Sequence, residues 1–252
     1  KKRHPRAEIL IMAYCMGGTL ILPYLARRAE ERLADGKPMD VKKVALMASP
    51  VKFDDEDSGH QAIRTLIRQN YDPRLMKELF GAVNIPPQVI ESGMNEIQPG
   101  VQYQVVTGFY SRAENLEAIA DAAPFLYWLT HGTRFPVSAH IQWIQNVFIG
   151  NQIYEGKFRL PSRHPALDGR PVNMDMLRKT GVAIFEYKGS RDVIAPAGSC
   201  VAAETWGQTG AAAGLKGRLR NQSIEKNVGH IFVGSRRHLA QYLAAVNEFY
   251  RS

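Results

Sequence analysis

A chain of 252 residues, 45% hydrophobic and 22% charged, can bury the core of a large globular domain and lacks the bias of a fibrous or disordered protein. No run approaches the ~18 consecutive apolar residues of a spanning helix, and two cysteines, Cys15 and Cys200, are too few for a disulfide framework, so a reducing, cytoplasmic setting is expected. The net charge of +8 is scattered apart from Lys1–Arg6 and Arg236-Arg237-His238, and no nucleic-acid motif accompanies it, which favours an anionic small molecule over nucleic acid.

Ile9–Tyr14 is a continuous apolar run, the pattern of a strand buried on both faces of a parallel sheet. A helix-like pattern begins just after Cys15, which places the thiol on a sharp strand-to-helix turn among the small residues Ala13, Gly17 and Gly18. The spacing is that of the nucleophile elbow G-x-S-x-G, with Cys15 for Ser and Ala13 for the first Gly. A thiolate is a strong nucleophile, and a helix start favours it; the plainer alternative is a buried structural thiol beside a glycine-rich turn. Leu20, Ile21, Tyr24, Leu25 and Leu33 then recur at helical spacing until Gly36 and Pro38, with Pro23 expected to kink the helix unless it falls in the first turn. Lys43–Ala48 reads as a second buried strand, and strand, helix, strand makes a βαβ unit.

From Val51 to Thr180 prolines break the chain into short pieces rich in aromatics, with helices expected around Gln61–Gln69, Asp72–Phe80, Asn115–Ala123 and Ser138–Gly150. A helical cap over the C-terminal edge of the sheet is the expectation, its aromatics forming either the cap's own core or a hydrophobic substrate channel. The sheet pattern returns at Gly181–Tyr187 and Asn221–Asn227, and Leu239, Leu243, Val246 and Phe249 mark a closing helix. Asp192 and His230 each follow one of these strands, at the edge where Cys15 lies and where open α/β sheets hold ligands. Singly they read as a turn residue and a polar loop residue. Together, the order nucleophile, acid, histidine is that of an α/β-hydrolase fold, with a mostly parallel core over 1–50 and 181–252 and a cap inserted over 51–180. Cys200 precedes a short helical stretch ending at Trp206, with no base expected nearby, and reads as a packing residue. Metal-ligand spacings and a P-loop are absent, so no metal is expected.

The ordered set resembles the polyhydroxyalkanoate (poly-3-hydroxybutyrate) synthases, bacterial α/β-hydrolase-fold enzymes that polymerise hydroxyacyl-CoA thioesters. The likeness is carried by Tyr14-Cys15-Met16-Gly17-Gly18-Thr19, Ser49-Pro50-Val51-Lys52-Phe53, Trp128 and Pro136, Asn146–Leu160, Asp192-Val193-Ile194-Ala195-Pro196 and Gly229-His230-Ile231. It implies an acyltransferase that needs no cofactor beyond its CoA thioester substrate. His230 would take the proton of Cys15, whose thiolate attacks an (R)-3-hydroxyacyl-CoA and releases CoA. The N–H of Met16 would hold the oxyanion, and Asp192 would orient His230 or help activate the incoming 3-hydroxyl. Trp128 and His131 are the candidate cap or substrate residues, His131 standing where the family usually has Asp; its plainer reading is a surface loop residue beside Gly132. Ala197 replaces a family Trp, and Gly234-Ser235-Arg236-Arg237 replaces an Asn-Pro run. These departures spare the triad and bear on polymer formation and chain-length control. The resemblance leaves room for a homodimer or a partner synthase subunit, and for association with polymer granules. Two alternatives stay open: a thioesterase or polyester depolymerase using the same triad, and a non-catalytic granule- or partner-binding relative. A nucleophile at position 15 leaves little room for the strands that usually precede an elbow, so the expectation is the C-terminal part of a longer protein with its first strands missing.

Overall fold

The computed structural model describes residues 8–81, 83–97, 131–207, 221–234 and 236–252, with scattered positions between 107 and 127. They fall into two compact units, Lys1–Gln61 with Asn146–Ser252, and Ala62–Gln145.

The first unit is built on β1 (Ile9–Tyr14), β2 (Val41–Met47), β5 (Ala183–Gly189) and β6 (Gln222–Lys226), in the order β1-β2-β5-β6 with every pair parallel. Helix α1 (Met16–Ala34) links β1 to β2 as one helix running through the buried Pro23. In register, Tyr14 lies level with Met47, and Met47 with Tyr187, so the C-terminal strand ends form one edge. β2 and β5 are the buried apolar strands their sequences predict. β1 differs from its expectation. Leu10 and Met12, alternating onto one face, stay 42% and 54% exposed, and among the described residues β1 has β2 as its neighbour and nothing beyond.

The closing helix, α8 (Arg236–Arg251), buries Tyr242, Val246 and Phe249 against Ala45, Phe185 and Tyr187 of the sheet. Lys43, a buried cation on β2, donates to the carbonyls of Phe249 and Tyr250 at 3.2 and 2.8 Å, which caps the helix where its dipole favours positive charge. Residues 51–61 and 146–180, expected in the inserted region, pack with the sheet unit instead. Val51, Phe53, Ile153 and Leu177 are fully buried there, and Phe53 N–H donates to the side-chain oxygen of Asn151 at 2.9 Å. Thr19 Oγ1 donates to Pro50 O at 2.6 Å, at the entry to the first segment, and Arg27 to Arg170 O at 2.6 Å in the second, tying both to α1. This unit also holds α6 (Met176–Lys179), α7 (Ala202–Trp206) and single 3₁₀ turns at Ala197–Ser199 and Phe232–Gly234.

The second unit contains α2 (Gln61–Asn70), α3 (Pro73–Phe80), α4 (Pro87–Ile97) and α5 (Val137–Gln142). α3 starts as its sequence dictates: Asp72 Oδ1 accepts from Arg74 N–H at 2.7 Å, and Pro73 sits where no N–H is needed. The two-residue strands β3 (Asn84–Ile85) and β4 (Phe135–Pro136) pair antiparallel, and Ile85, Val137 and Ile141 form a small core. The expected helix over 138–150 is α5 followed by a π-helical turn, Trp143–Ile149. Of the helix expected at 115–123, the described residues 116, 117, 119, 120 and 123 are helical, while Trp128 lies outside the described residues. No helix of the described residues is long and apolar enough to cross a membrane.

Candidate active site

β1 ends at Tyr14, and α1 starts at Met16, so Cys15 must reverse the backbone in a single residue. It does so at φ 51° and ψ −131°, a conformation that costs an L-residue of order 1–3 kcal/mol and is held only where the surroundings insist on it. Those surroundings are identifiable. Cys15 N–H donates to Met47 O at 2.9 Å, and Cys15 O accepts from Gly18 and Thr19 as the first turn of α1 closes. A Cβ on Gly18 would lie 2.0 Å from Ser49 Oγ, so only glycine allows α1 to approach the end of β2 this closely. Gly17 has no such neighbour, and of the two glycines only Gly18 is needed for close approach. The thiol is half-buried at the start of α1, whose first N–H groups, Met16 among them, have no carbonyl within the helix to donate to.

Asp192 follows β5 and His230 follows β6, and their side chains meet: His230 Nδ1 donates to Asp192 Oδ2 at 2.8 Å, with both residues buried. The other carboxylate oxygen, Oδ1, accepts from Ile194 and Ala195 N–H at 2.9 and 2.8 Å, so the acid is aimed by its own loop. That loop is pinned from outside. His60 Nε2 donates to Ile194 O at 3.0 Å while its ring stacks on Phe53, and a Cβ on Gly59 would lie 2.6 Å from Pro196. Burial alone would make the His230 ring harder to protonate. The hydrogen bond to Asp192, and then the neighbouring Cys15 and the Asp192 charge, outweigh it and push the ring up to about 9. The imidazole and carboxylate are thus brought together on the loops after β5 and β6.

Tyr14 joins them. Its hydroxyl donates to His230 O at 2.9 Å, and its ring centroid lies 5.2 Å from that of the imidazole. The sequence places Tyr14 beside the thiol and gives no sign that it reaches the histidine. Neither His60 nor the buried Glu186, which accepts from Ala202 and Ala203 N–H at 2.9 Å each, carries a motif; a carboxylate inside the apolar run of β5 is the one signal. His131 belongs to the second unit, exposed, stacked on Tyr127 at 3.9 Å with Nδ1 2.9 Å from Tyr127 O. Among the described residues, no group of three His, Cys, Asp or Glu is placed to hold a metal ion.

A parallel sheet whose first strand ends in a strained nucleophile elbow, with an Asp–His pair on the loops after later strands, defines an α/β-hydrolase fold. No protein-family model matches the chain. It is similar to the poly(3-hydroxyalkanoate) polymerase subunit PhaC of Haloarcula marismortui, 27% identical over 184 residues, 72% of this chain and 35% of the relative. The PhaC subunit of Haloferax mediterranei is 25% identical over 199 residues, 78% of this chain and again 35% of the relative. The chain therefore spans about a third of the length of the curated relatives it matches. Among solved structures, an esterase, RhEst1, from Rhodococcus is 15% identical with a TM-score of 0.44, covering 96% of this chain and 65% of the esterase. A bromoperoxidase from Bacillus anthracis is 12% identical with a TM-score of 0.42, covering 100% and 70%. Superposition at that level adds nothing to what the sheet and elbow establish.

Proposed function

We propose that this chain carries the acyl-transfer site of a polyhydroxyalkanoate synthase, acting on 3-hydroxyacyl-CoA through an acyl-thioester on Cys15. The observation that carries this reading is the thiol on the elbow at the sheet edge where Asp192 holds His230 at 2.8 Å and Tyr14, the residue before the thiol, holds the His230 carbonyl at 2.9 Å; similarity to two polymerase subunits supplies the substrate class. With Nδ1 committed to Asp192, Nε2 takes the proton from Sγ. The thiolate attacks the thioester carbonyl, the oxyanion gathers at Met16 N–H, and the C–S bond to CoA breaks as the imidazolium returns a proton to the departing thiolate. The 3-hydroxyl of a second unit then gives its proton to Nε2 and attacks the acyl carbon. An ester forms, the C–Sγ bond breaks, and Sγ regains its proton.

The name subunit in both relatives extends the reading to work alongside a partner subunit. The role of residues 62–145 as a cap, with Trp128 and His131 contributing to substrate handling, belongs to the same proposal. Incubation with (R)-3-hydroxybutyryl-CoA, followed by assay of free CoA and ester-linked oligomers, tests it. CoA released together with oligomers supports the synthase. Release with free 3-hydroxy acid alone points to a hydrolase on the same triad, and no release with no adduct on Cys15 to a binding role.

A further inference from the structure

β1 and β6 lie at opposite ends of the sheet order β1-β2-β5-β6, so a thiol on the first and an imidazole following the last have no common scaffold in the strand ladder. Something else must set their separation. The loop that carries His230 is tied to its neighbour, with Arg191 N–H donating to Val228 O at 3.2 Å and the Arg191 side chain to Asn227 O at 3.1 Å. Those contacts stop short of His230 itself. The carbonyl of His230 is instead held by Tyr14 Oη at 2.9 Å, and its ring is flanked by the Tyr14 ring at an interplanar angle of 35°. Tyr14 is the residue next to Cys15, its Cα about 3.8 Å away along the chain. One rigid strand end therefore carries the nucleophile on one residue and the clamp on its base on the preceding one.

Tyr14 is suited to this. It packs against the buried cluster that includes Met47, Tyr187, Val228 and Phe232, so its ring has little freedom. Burial, and then the charges of Cys15 and Asp192, push its hydroxyl far above the usual phenol range, which keeps it a neutral O–H donor at any working pH. A side chain that only filled space would need no hydroxyl, and Phe would serve.

We propose that Tyr14 is a positioning residue: its hydroxyl on the His230 carbonyl and its ring against the imidazole set the base opposite Cys15. The inference rests on the reading of Cys15, Asp192 and His230 as a triad and goes beyond it. The test needs no turnover. The rate of Cys15 alkylation by iodoacetamide is followed by peptide mapping, across pH, in the unsubstituted chain and in Tyr14→Phe, Tyr14→Leu and His230→Gln. His230→Gln slows alkylation at pH 7 by on the order of 10- to 30-fold, as the thiol loses its base. Tyr14→Phe slows it roughly 3- to 10-fold, the scale of one lost hydrogen bond, and the pH of half-maximal rate rises. Tyr14→Leu, which also removes the ring, does more. A purely structural role would lower the melting temperature and leave the half-maximal pH where it was. Tyr14→Phe and Tyr14→Leu matching the unsubstituted chain while His230→Gln slows would overturn the role of Tyr14 and leave the triad standing. His230→Gln without effect would overturn both.

Discussion

Both cysteines follow an apolar strand, Cys15 directly after β1 and Cys200 eleven residues after β5, and the fold makes opposite things of them. Cys15 has φ 51°, is half-buried at the start of a helix of 19 residues, and follows Tyr14, whose hydroxyl reaches the His230 carbonyl. Cys200 is 1% exposed, closes a single 3₁₀ turn, and its Sγ lies 3.7 Å from Ala195 O. Burial, and then the nearby Glu186 and Asp192, push the Cys200 thiol well up. A position after a strand therefore does not make a nucleophile. What separates the two sites is burial first and neighbours second: Cys15 is half-buried at a helix start beside the residue that reaches His230, whereas Cys200 is buried with Glu186 and Asp192 near it.

The largest effect should come from exchanging their fates. Cys15→Ala is expected to abolish the acyl adduct formed with a non-extendable acyl-CoA analogue and to cut CoA release by at least about 10³-fold, since triad members act as a unit. Mass spectrometry with peptide mapping decides: an adduct on Cys200, or on neither cysteine while turnover persists, would sink the mechanism. Asp192→Asn comes next, with turnover down by roughly 10²- to 10⁴-fold, because an amide nitrogen facing Nδ1 favours the wrong tautomer. Some stability below about pH 9 should go with it, because the bond to Asp192 is what chiefly raises His230; a rate unchanged while the melting temperature falls would assign Asp192 to the fold instead.

Gly18 and Gly17 sharpen the comparison at the level of backbone. Gly18→Ala drives a Cβ to 2.0 Å from Ser49 Oγ and should cost roughly 1–3 kcal/mol, measured by denaturant unfolding. Gly17→Ala meets nothing within 4 Å and should be neutral or slightly stabilising. Equal losses at both positions would mean that the elbow is not held by the packing of α1 against Ser49.

The pH dependence of stability distinguishes the two regions again. Burial raises the Glu186 carboxyl from 4.5 to about 7, only partly offset by the N–H groups of Ala203 and Ala202 and by Lys188. The unfolded chain gives up this proton at lower pH than the folded one, so stability falls as pH rises from about 4.5 to about 7 and then levels. His230 is raised from 6.5 to about 9, so its contribution is full below about 6.5 and is lost as pH climbs to about 9. Glu186→Gln should flatten the lower window and His230→Gln the upper one in melting curves taken across pH. A lower window that survives Glu186→Gln would assign it to another group. The smallest effect is Cys200→Ser, with turnover within a few-fold and a stability loss of about 1–2 kcal/mol from a hydroxyl in a buried site.

Much of the sheet unit was legible because it obeys simple periods. β2, β5 and α8 follow from apolar runs and helical spacing, β6 (one apolar residue in five) from its place before Gly229-His230, and the order Cys15, Asp192, His230 from where the strands end. The rest depended on contacts between residues distant in the chain. Val51, Phe53 and Ile153 bury themselves in irregular segments, where burial leaves no period to read. β3 and β4 are two residues each, below any pattern length, and a π-helical turn shares its sequence signature with an ordinary helix. The exposure of Leu10 and Met12 escaped for the converse reason, since an apolar run does not say whether both of its faces are covered.

The hydrogen bond between Tyr14 and His230 spans 216 residues of chain, and this has a consequence for synthesis. At ~5–20 residues per second, the thiol leaves the ribosome roughly 10–40 s before its base exists. During that interval the nascent chain can pair β1 with β2 and wind α1, both local events, yet its thiol has no partner to draw off the proton. On the proposed mechanism, catalytic competence arrives with the residues that follow β6 and cannot precede them. A transcript cut short before residue 222 would yield a thiol on a strand end with no chemistry of its own.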